Sequence, residues 1–337
     1  DKPSDFFNTV LYTGNGGTQT ISGVGFQPDF VWGKGRTSTE YHQLYDAVRS
    51  ATKVIFSTTD DAEETKSAGL TAFNSDGFVL GSDDGLNKNT ISQVAWNWKA
   101  GTSFSNSAGA NGASIASTGS INTTAGFSII KYTGSGSNAT IAHGLGVVPK
   151  MIIFKNLSSG VDWRVYHAAL GNTNRLCLND TSASNNDDSA FNDTSPTSTV
   201  FSVGGSSSTN AGTMIAYCFA EKQGYSKFGS YIGNGNANGP FVYTGFKPAF
   251  VMVKRTNATG DWHMADNKRL GYNPDQNDLF ANLSNAEDSG NFTNILSNGF
   301  KLINSEATHN GSGNSFIYMA FAENPFVASN FVAATAR

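Results

Sequence analysis

The residues best suited to chemistry in this chain are acids that stand beside aromatic rings. Asp162-Trp163 and Asp261-Trp262 each place a carboxylate next to an indole, and a related aromatic-polar segment begins at Tyr41-His42. An indole stacks on the apolar faces of sugars, while a carboxylate accepts hydrogen bonds from their hydroxyls. The candidate glycan or receptor contacts are therefore Tyr41, His42, Asp162, Trp163, Asp261 and Trp262.

The same rings have a structural interpretation that the pattern favours. An aromatic residue recurs at this place in three parts of the chain, as Tyr41, Trp163 and Trp262. A ring that recurs in every copy of a repeat is typical of a core anchor, so we expect the rings to be buried ahead of a role in binding.

No set of residues has the spacing of a catalytic or metal-binding motif. The five histidines are not spaced as a zinc pair, and there is no His-Glu-x-x-His or Gly-x-Ser-x-Gly in context. The acidic pairs Asp60-Asp61, Asp83-Asp84 and Asp187-Asp188 lack the alternating ligands of a calcium loop. We therefore predict a protein that is not an enzyme and that has no cofactor and no metal.

Composition narrows the fold to strands joined by tight turns. Of 337 residues only 14% are charged, while 12% are aromatic and 37 are glycine. The net charge is −4 with no basic run, which disfavours a nucleic-acid partner. No apolar run approaches the ~18 residues that span a membrane, so membrane insertion is not expected. Cys177 and Cys218 could pair, but buried free thiols are favoured.

An internal repeat is the main signal. Three times an aromatic-Gly turn leads to a proline, an apolar run, a base and finally an aromatic strand. Trp96 follows Pro28 by 68 residues, Tyr217 follows Pro149 by 68, and Met319 follows Pro248 by 71. A unit near 100 residues is too long for a solenoid turn, so each copy is expected to carry its own core.

Each copy has the pattern of β-strands. The apolar runs after the prolines have the length of central strands, and a proline that cannot donate to a ladder suits a strand entrance. In the closing strand, Ile215, Tyr217 and Phe219 alternate with small residues. Asn-Gly and Asp-Gly pairs supply the hairpin turns. The predicted fold class is all-β: three tandem homologous β-sandwich-like units with Gly/Asn-rich turns.

The predicted boundaries follow the repeat. Residues 1–101 form unit 1, 126–223 form unit 2, and 224–337 form unit 3 with a C-terminal tail. Residues 102–125 are almost wholly Gly, Ser, Ala, Thr and Asn, which indicates a flexible linker. The isolated apolar residues Ile115 and Ile121 leave open an ordered, extended segment instead.

Four stretches, at 26–32, 94–101, 217–229 and 318–323, resemble a repeat family of uncharacterised domains from marine tailed bacteriophages, described as tail-fibre or virion structural proteins. The resemblance covers essentially the whole chain and departs at Gly33, where relatives carry an aliphatic residue. It implies a virion location in a tail or other external appendage, contact with other virion proteins, and a bacterial surface glycan as a candidate receptor. A homo-oligomer is expected, a trimer by analogy with phage fibres.

Two other functions remain open. One is a carbohydrate-binding module or polysaccharide-degrading enzyme, although the long parallel β-helix repeats of depolymerases are absent from the sequence. The other is a capsid decoration protein with no receptor role.

Overall fold

Two of the three prolines that precede an apolar run stand just before a strand that is buried along its whole length. The computed structural model describes residues 2–269, 273, 277–290 and 292–325. Pro28 precedes strand Phe30–Gly35 and Pro149 precedes Met151–Asn156. Pro248 instead lies inside Phe246–Arg255, where the register shifts on both of its sides. A bulge suits a residue that cannot donate a ladder hydrogen bond.

The strands of each unit are as follows. Unit 1 contains β1 (Phe7–Thr13), β2 (Gln19–Ser22), β3 (Phe30–Gly35), β4 (Gln43–Asp46), β5 (Lys53–Phe56), β6 (Glu64–Thr65), β7 (Leu70–Asn74), β8 (Gly77–Leu80) and β9 (Ser92–Trp98). The segment after it contains β10 (Thr102–Asn106) and β11 (Ser117–Asn122). Unit 2 contains β12 (Phe127–Ser135), β13 (Ala139–Ala142), β14 (Met151–Asn156), β15 (Arg164–His167), β16 (Asn174–Arg175), β17 (Asn185–Asn186), β18 (Val200–Val203) and β19 (Ala211–Phe219). Unit 3 contains β20 (Ser226–Ile232), β21 (Phe241–Tyr243), β22 (Phe246–Arg255), β23 (Trp262–Asp266), β24 (Leu279–Phe280), β25 (Thr293–Leu296), β26 (Gly299–Leu302) and β27 (Ser315–Pro325).

Among the residues that the structure describes, helix is confined to single turns. The α-helical turns are α1 (Asp84–Asn87), α2 (Asp188–Phe191), α3 (Ser207–Asn210) and α4 (Ala307–Asn310), and 3-10 turns lie at Pro3–Asp5 and Ala110–Gly112. The all-β prediction is confirmed. In the described part of the chain, no helix has the length and apolar character needed to cross a bilayer.

The same strand order occurs in three large antiparallel sheets. The orders are β1-β9-β3-β4-β5-β6, β10-β11-β12-β19-β14-β15 and β20-β27-β22-β23-β24. In each, the opening strand of the unit pairs with its closing strand, which pairs with the strand of the apolar run (β3, β14 or β22). Smaller sheets accompany them, in the orders β2-β8-β7, β13-β18 and β21-β26-β25. This recurrence is what a tandem repeat of sandwich-like units predicts; the common origin of the units remains a prediction.

Each unit has a core of its own, and the three units also share one. Met214, Ala216 and Cys218 face the private core of unit 2, between its large and small sheets. Ile215, Tyr217 and Phe219 face the opposite way, as the alternation predicts, and join a core common to all three units. The prediction of one separate core per unit is therefore incomplete, because the other face of each large sheet is buried against the other two sheets.

This common core is dominated by aromatic rings. Its buried aromatic members are Phe7, Phe30, Trp32, Trp96, Trp98, Phe127, Trp163, Tyr217, Phe219, Tyr225, Phe228, Phe250, Trp262 and Phe321. Ring contacts join every pair of units: Phe30 stacks on Tyr217 at 4.4 Å, Phe7 stacks on Phe321 at 5.3 Å, and Phe219 meets Phe321 at 5.8 Å between centroids. We call this set of residues the central core.

The prediction of a flexible linker at residues 102–125 is wrong, because this segment forms two paired strands. Strand β10 pairs with β11, and β11 pairs with β12 over six residues, so the segment extends the large sheet of unit 2. Phe104, Ile115 and Ile121 pack against the private core of that unit. The interpretation as an ordered extended segment is the one the structure supports.

Candidate functional site

His42, Trp163 and Trp262 occupy one position that recurs in the three large sheets. In each large sheet, a residue in the middle of the apolar strand pairs with the neighbouring strand: Trp32↔Leu44, Ile153↔Val165 and Met252↔Met264. His42, Trp163 and Trp262 each lie two residues before the second member of these pairs. The sequence alignment put Tyr41 at this position, and the register corrects it to His42. The alignment matched Tyr41 to the two tryptophans because Tyr41 is aromatic and directly precedes His42 in the sequence.

The two indoles are structural. Trp163 is 0% exposed and Trp262 is 1% exposed. The Trp163 Nε1 donates to the Phe56 carbonyl of unit 1 at 2.9 Å, and the Trp262 Nε1 donates to the Cys177 carbonyl of unit 2 at 2.8 Å. Neither ring has a face that a sugar could reach, and His42 is also fully buried. Glycan contact through these three residues is therefore corrected: the two indoles join units, and His42 accepts a hydrogen bond from Trp32 Nε1 within unit 1.

The other three candidates lie at the surface. Tyr41 is 48% exposed, while Asp162 and Asp261 are partly exposed. Asp162 accepts from Asn179 Nδ2 at 3.0 Å, and Asp261 accepts from Asn282 Nδ2 at 2.7 Å. Burial alone would raise the pKa of Asp162, but the hydrogen bond from Asn179 and the nearby Arg164 hold that pKa below its usual value. Asp162 is therefore ionised at neutral pH, and each of the two acids binds an asparagine side chain of its own unit.

A buried ionic contact joins unit 2 to unit 1. Asp46, at the end of β4, binds Arg49 Nε at 2.5 Å, and both side chains are at most 1% exposed. Tyr217, in the closing strand of unit 2, donates its hydroxyl to the same Asp46 oxygen at 2.7 Å. Arg49 also meets Glu63 at 3.2 Å. The carboxylate thus holds its own turn and the neighbouring unit together.

The junction between units 1 and 3 has the same construction. Asp266, at the end of β23, binds Arg269 Nε at 2.7 Å and accepts from Trp96 Nε1 of unit 1 at 3.0 Å. Glu287 bridges Arg269 at 3.3 Å to Arg36 of unit 1 at 2.7 Å. Burial opposes charge at Glu287, yet the two guanidiniums keep the pKa of its carboxyl below the usual value.

His167 takes the place of these aspartates at the third junction. It pairs with Met151, just as Asp46 pairs with Phe30 in unit 1. Its Nδ1 accepts from the Ala169 amide, and its Nε2 lies 3.2 Å from the Tyr318 carbonyl of unit 3. Burial lowers the pKa of His167 to about 4, so the neutral ring donates from Nε2. The three units are therefore closed into a ring.

One equivalent backbone hydrogen bond recurs at all three junctions and closes the same ring. The amide of Glu63 donates to the Leu157 carbonyl, that of Ser184 to Thr256, and that of Glu287 to Arg36. These bonds lie between units 1 and 2, units 2 and 3, and units 3 and 1. The units therefore follow one another in one rotational sense around the central core.

Buried lysines reinforce two of the junctions. Lys155 Nζ donates to the Asp60 carbonyl of unit 1 at 2.8 Å, and Lys254 Nζ donates to the Ser182 carbonyl of unit 2 at 2.9 Å. Lys34 occupies the matching position in unit 1 and donates to the Ser38 carbonyl at 2.9 Å. The base at the end of each apolar run is a buried donor, and its amine is used up by carbonyl oxygens.

One histidine–carboxylate pair has the composition of a general acid–base dyad. His263 Nδ1 lies 2.5 Å from Asp278 Oδ2, and both side chains are at most 5% exposed. The rings of Phe280, Phe292 and His309 surround His263. A general base must reach the proton it abstracts, and the near-complete burial of both side chains of this pair keeps them from a substrate in solvent.

One cluster has the geometry of a metal site but the wrong surroundings. Asp162, Cys177 and Asp180 each place a ligand atom within 4.8 Å of the others. Arg164 and Arg175 donate to the Cys177 sulfur at 3.1 and 2.9 Å. Burial raises the pKa of this thiol to about 11, although the two guanidiniums act against it, so the sulfur stays protonated. Cationic neighbours and a neutral thiol make the cluster unsuited to a divalent metal.

Comparison with known proteins identifies a family without a described activity. The family model for a domain of unknown function (DUF7483) matches residues 2–325. The chain belongs to the DUF7483 family. No curated protein and no solved structure matches the chain.

The sequence contained a signal for the junctions of this DUF7483 domain that the analysis of motifs missed. Asp46 and Asp266 each stand three residues before an arginine, at the end of the aromatic-polar segment. The matching residues of unit 2 are His167 and Leu170. An Asp-x-x-Arg pair that recurs in two of three copies indicates a buried ion pair. The residue of the neighbouring unit that binds this pair cannot be predicted from the sequence.

Proposed function

We propose that this DUF7483 domain is a non-enzymatic structural protein of a bacteriophage particle, part of a tail fibre or similar external appendage. One observation carries the proposal: buried polar side chains hold the three units in a closed ring. Tyr217, Trp96 and His167 each bind the neighbouring unit from a buried position. A rigid body of this kind suits a building block better than an enzyme, which needs polar groups exposed in a cleft.

Receptor contact is proposed for the exposed rim rather than for the indoles. Tyr41, Asp162 and Asp261 occupy one recurring position beside the buried rings, and Tyr41 offers a ring face to solvent. An exposed ring can stack on a sugar, while the two acids could accept hydroxyl hydrogen bonds at the matching places. Host adhesion through a bacterial surface glycan would then use this rim.

Location on the particle is the first test. Purified phage that encodes the protein is labelled with gold-conjugated antibody against the folded domain. The proposal expects gold on the tail or an appendage in electron micrographs. Gold confined to the head would favour a capsid decoration protein, and no label on intact, gently opened or negatively stained particles would refute a virion role.

Adhesion and catalysis are tested with the isolated protein. Binding to host polysaccharide should fall at least tenfold in Tyr41→Ala and stay unchanged in Val148→Ala, which shortens another exposed apolar side chain. Binding that survives Tyr41→Ala would refute the rim as the contact. Release of reducing ends from the polysaccharide would refute the non-enzymatic assignment.

A further inference from the structure

The three units treat one margin of their sandwich in three different ways. This margin consists of the opening strand of the large sheet (β1, β12 or β20) and the first strand of the small sheet (β2, β13 or β21). In unit 2 it is covered by the chain itself. Strand β11 pairs with β12, the Ser114 amide donates to the Thr140 carbonyl of β13 at 2.9 Å, and Ile115 bridges to Ile141.

In unit 1, side chains cap two of the outward backbone groups of this margin. Asn8 Oδ1 accepts from the Thr9 amide at 3.0 Å, and Gln19 Nε2 donates to the Thr13 carbonyl at 3.1 Å. On β2, the polar residues Thr20 and Ser22 face solvent, while on β1 the apolar residue Leu11 is 40% exposed. Such capping is a usual way to stop a sheet edge from pairing with another chain.

In unit 3 the backbone of this margin is open. The amide of Gly233 donates to Asn314, and Tyr225 accepts from Ala322, which fixes the groups of β20 that face β27. By alternation, the N–H and C=O groups of Phe228, Ser230 and Ile232 point away from the sheet. Within the described part of the chain, no hydrogen bond reaches these six groups.

Apolar side chains accompany the open backbone. Ile232 is 59% exposed, Phe241 is 46% exposed and Tyr243 is 57% exposed. By register, these residues stand where unit 1 has Thr13, Thr20 and Ser22. A groove of ≈ 550 Å³ is lined by Ser226 and Lys227 of β20 together with Tyr243 of β21, so the two strands lie on the same side.

We propose that this open margin of unit 3 is a homodimer interface, in which β20 pairs antiparallel with β20 of a second copy. With Ser230 on the twofold axis, Phe228 stands opposite Ile232 of the second copy and Lys227 stands opposite Gly233. All six open backbone groups of each copy then find partners, and no like charges face each other.

A second copy fits this margin better than an unrelated strand for two reasons. The edge is self-complementary, because its outward groups are symmetric about Ser230 and its one charge lies away from the axis. The cover that unit 2 carries is also an antiparallel, uncharged strand, β11, and β20 has that character except at Lys227. An isologous edge joins two copies, so the inference goes beyond the proposed function and replaces the trimer expected by analogy with a dimer.

Light scattering coupled to size exclusion tests the interface on the full chain. The wild-type protein should have twice the monomer mass of 35.6 kDa at micromolar concentration. Ser230→Pro removes an outward N–H without breaking a bond to β27, so it should give monomers with an unchanged circular dichroism spectrum. Leu11→Pro makes the same change at the matching position of β1 and should leave the dimer intact.

A second pair of variants covers the case in which proline disturbs folding. Ile232→Lys should raise the dimer dissociation constant at least tenfold, while Thr13→Lys at the matching place in unit 1 should not change it. A monomeric or trimeric wild-type protein would overturn the inference, as would a folded Ser230→Pro variant that stays dimeric. None of these results bears on particle location, which the gold labelling tests separately.

Discussion

Removal of the Tyr217 hydroxyl measures how strongly the junction between units 1 and 2 is held. Burial raises the pKa of Tyr217 well above its usual range, so the phenol stays protonated and donates to Asp46. A hydrogen bond to a charged group contributes about 1.5–3 kcal/mol. Asp46 keeps Arg49 in Tyr217→Phe, so no unpaired charge is created. We expect the free energy of unfolding to fall by about 2 kcal/mol.

Denaturant unfolding of two tyrosine variants provides the assay and its control. The Tyr225 hydroxyl is also buried, but no hydrogen-bond partner reaches it from the residues that the structure describes. Tyr225→Phe should therefore leave stability unchanged to about 0.5 kcal/mol, or raise it, because it removes an unsatisfied polar group. Equal losses in Tyr217→Phe and Tyr225→Phe would refute the role of the contact with Asp46. So would additive losses in a double-mutant cycle of Tyr217→Phe with Asp46→Asn.

Three further predictions concern other junctions and one packing contact. The pKa of His167 is about 4 against its usual 6.5, so its contribution to the free energy of unfolding is fully present above pH 6.5. About 3 kcal/mol of that free energy is lost as pH falls towards 4. His167→Gln should make the free energy of unfolding less dependent on pH between 6.5 and 4, and an unchanged dependence would contradict this. Arg269→Met leaves the buried Asp266 charge uncompensated and should cost about 3–5 kcal/mol in denaturant unfolding; a loss below 1 kcal/mol would be incompatible with that reasoning. A Cβ at Gly33 would lie 2.6 Å from Leu86 Cδ2, so Gly33→Ala should cost about 1–3 kcal/mol alone and clearly less with Leu86→Ala, as a double-mutant cycle would show.

The sequence predicted the local structure of this DUF7483 domain better than its assembly. Alternation in the closing strand correctly placed Tyr217 on a buried face. It could not say what covers that face, because Tyr217 and Asp46 are 171 residues apart and belong to different units. Periodicity reports that a side chain is buried, whereas its partner depends on how the sheets pack.

The candidate site was predicted only in part for related reasons. The recurrence of Trp163 and Trp262 correctly favoured burial. That their indoles donate to backbone carbonyls of another unit could not be predicted from the sequence. Gly33 departs from the aliphatic residue expected by resemblance, and Leu86 fills the space that the missing side chain leaves. Composition indicated a linker at 102–125 because a strand that completes an existing sheet needs few apolar residues of its own.

Because the three units share the central core, none of them is expected to be soluble when it is produced alone. Excision of unit 2 would expose Phe127, Tyr217 and Phe219 on one large apolar surface. The faces of units 1 and 3 that pack against unit 2 would also be exposed. Such a fragment is expected to precipitate when it is produced alone and to recover a soluble form when the missing pieces are co-expressed. In the DUF7483 family, insertions and exchanges of segments should therefore leave the ring of three units complete and be confined to outward-facing loops.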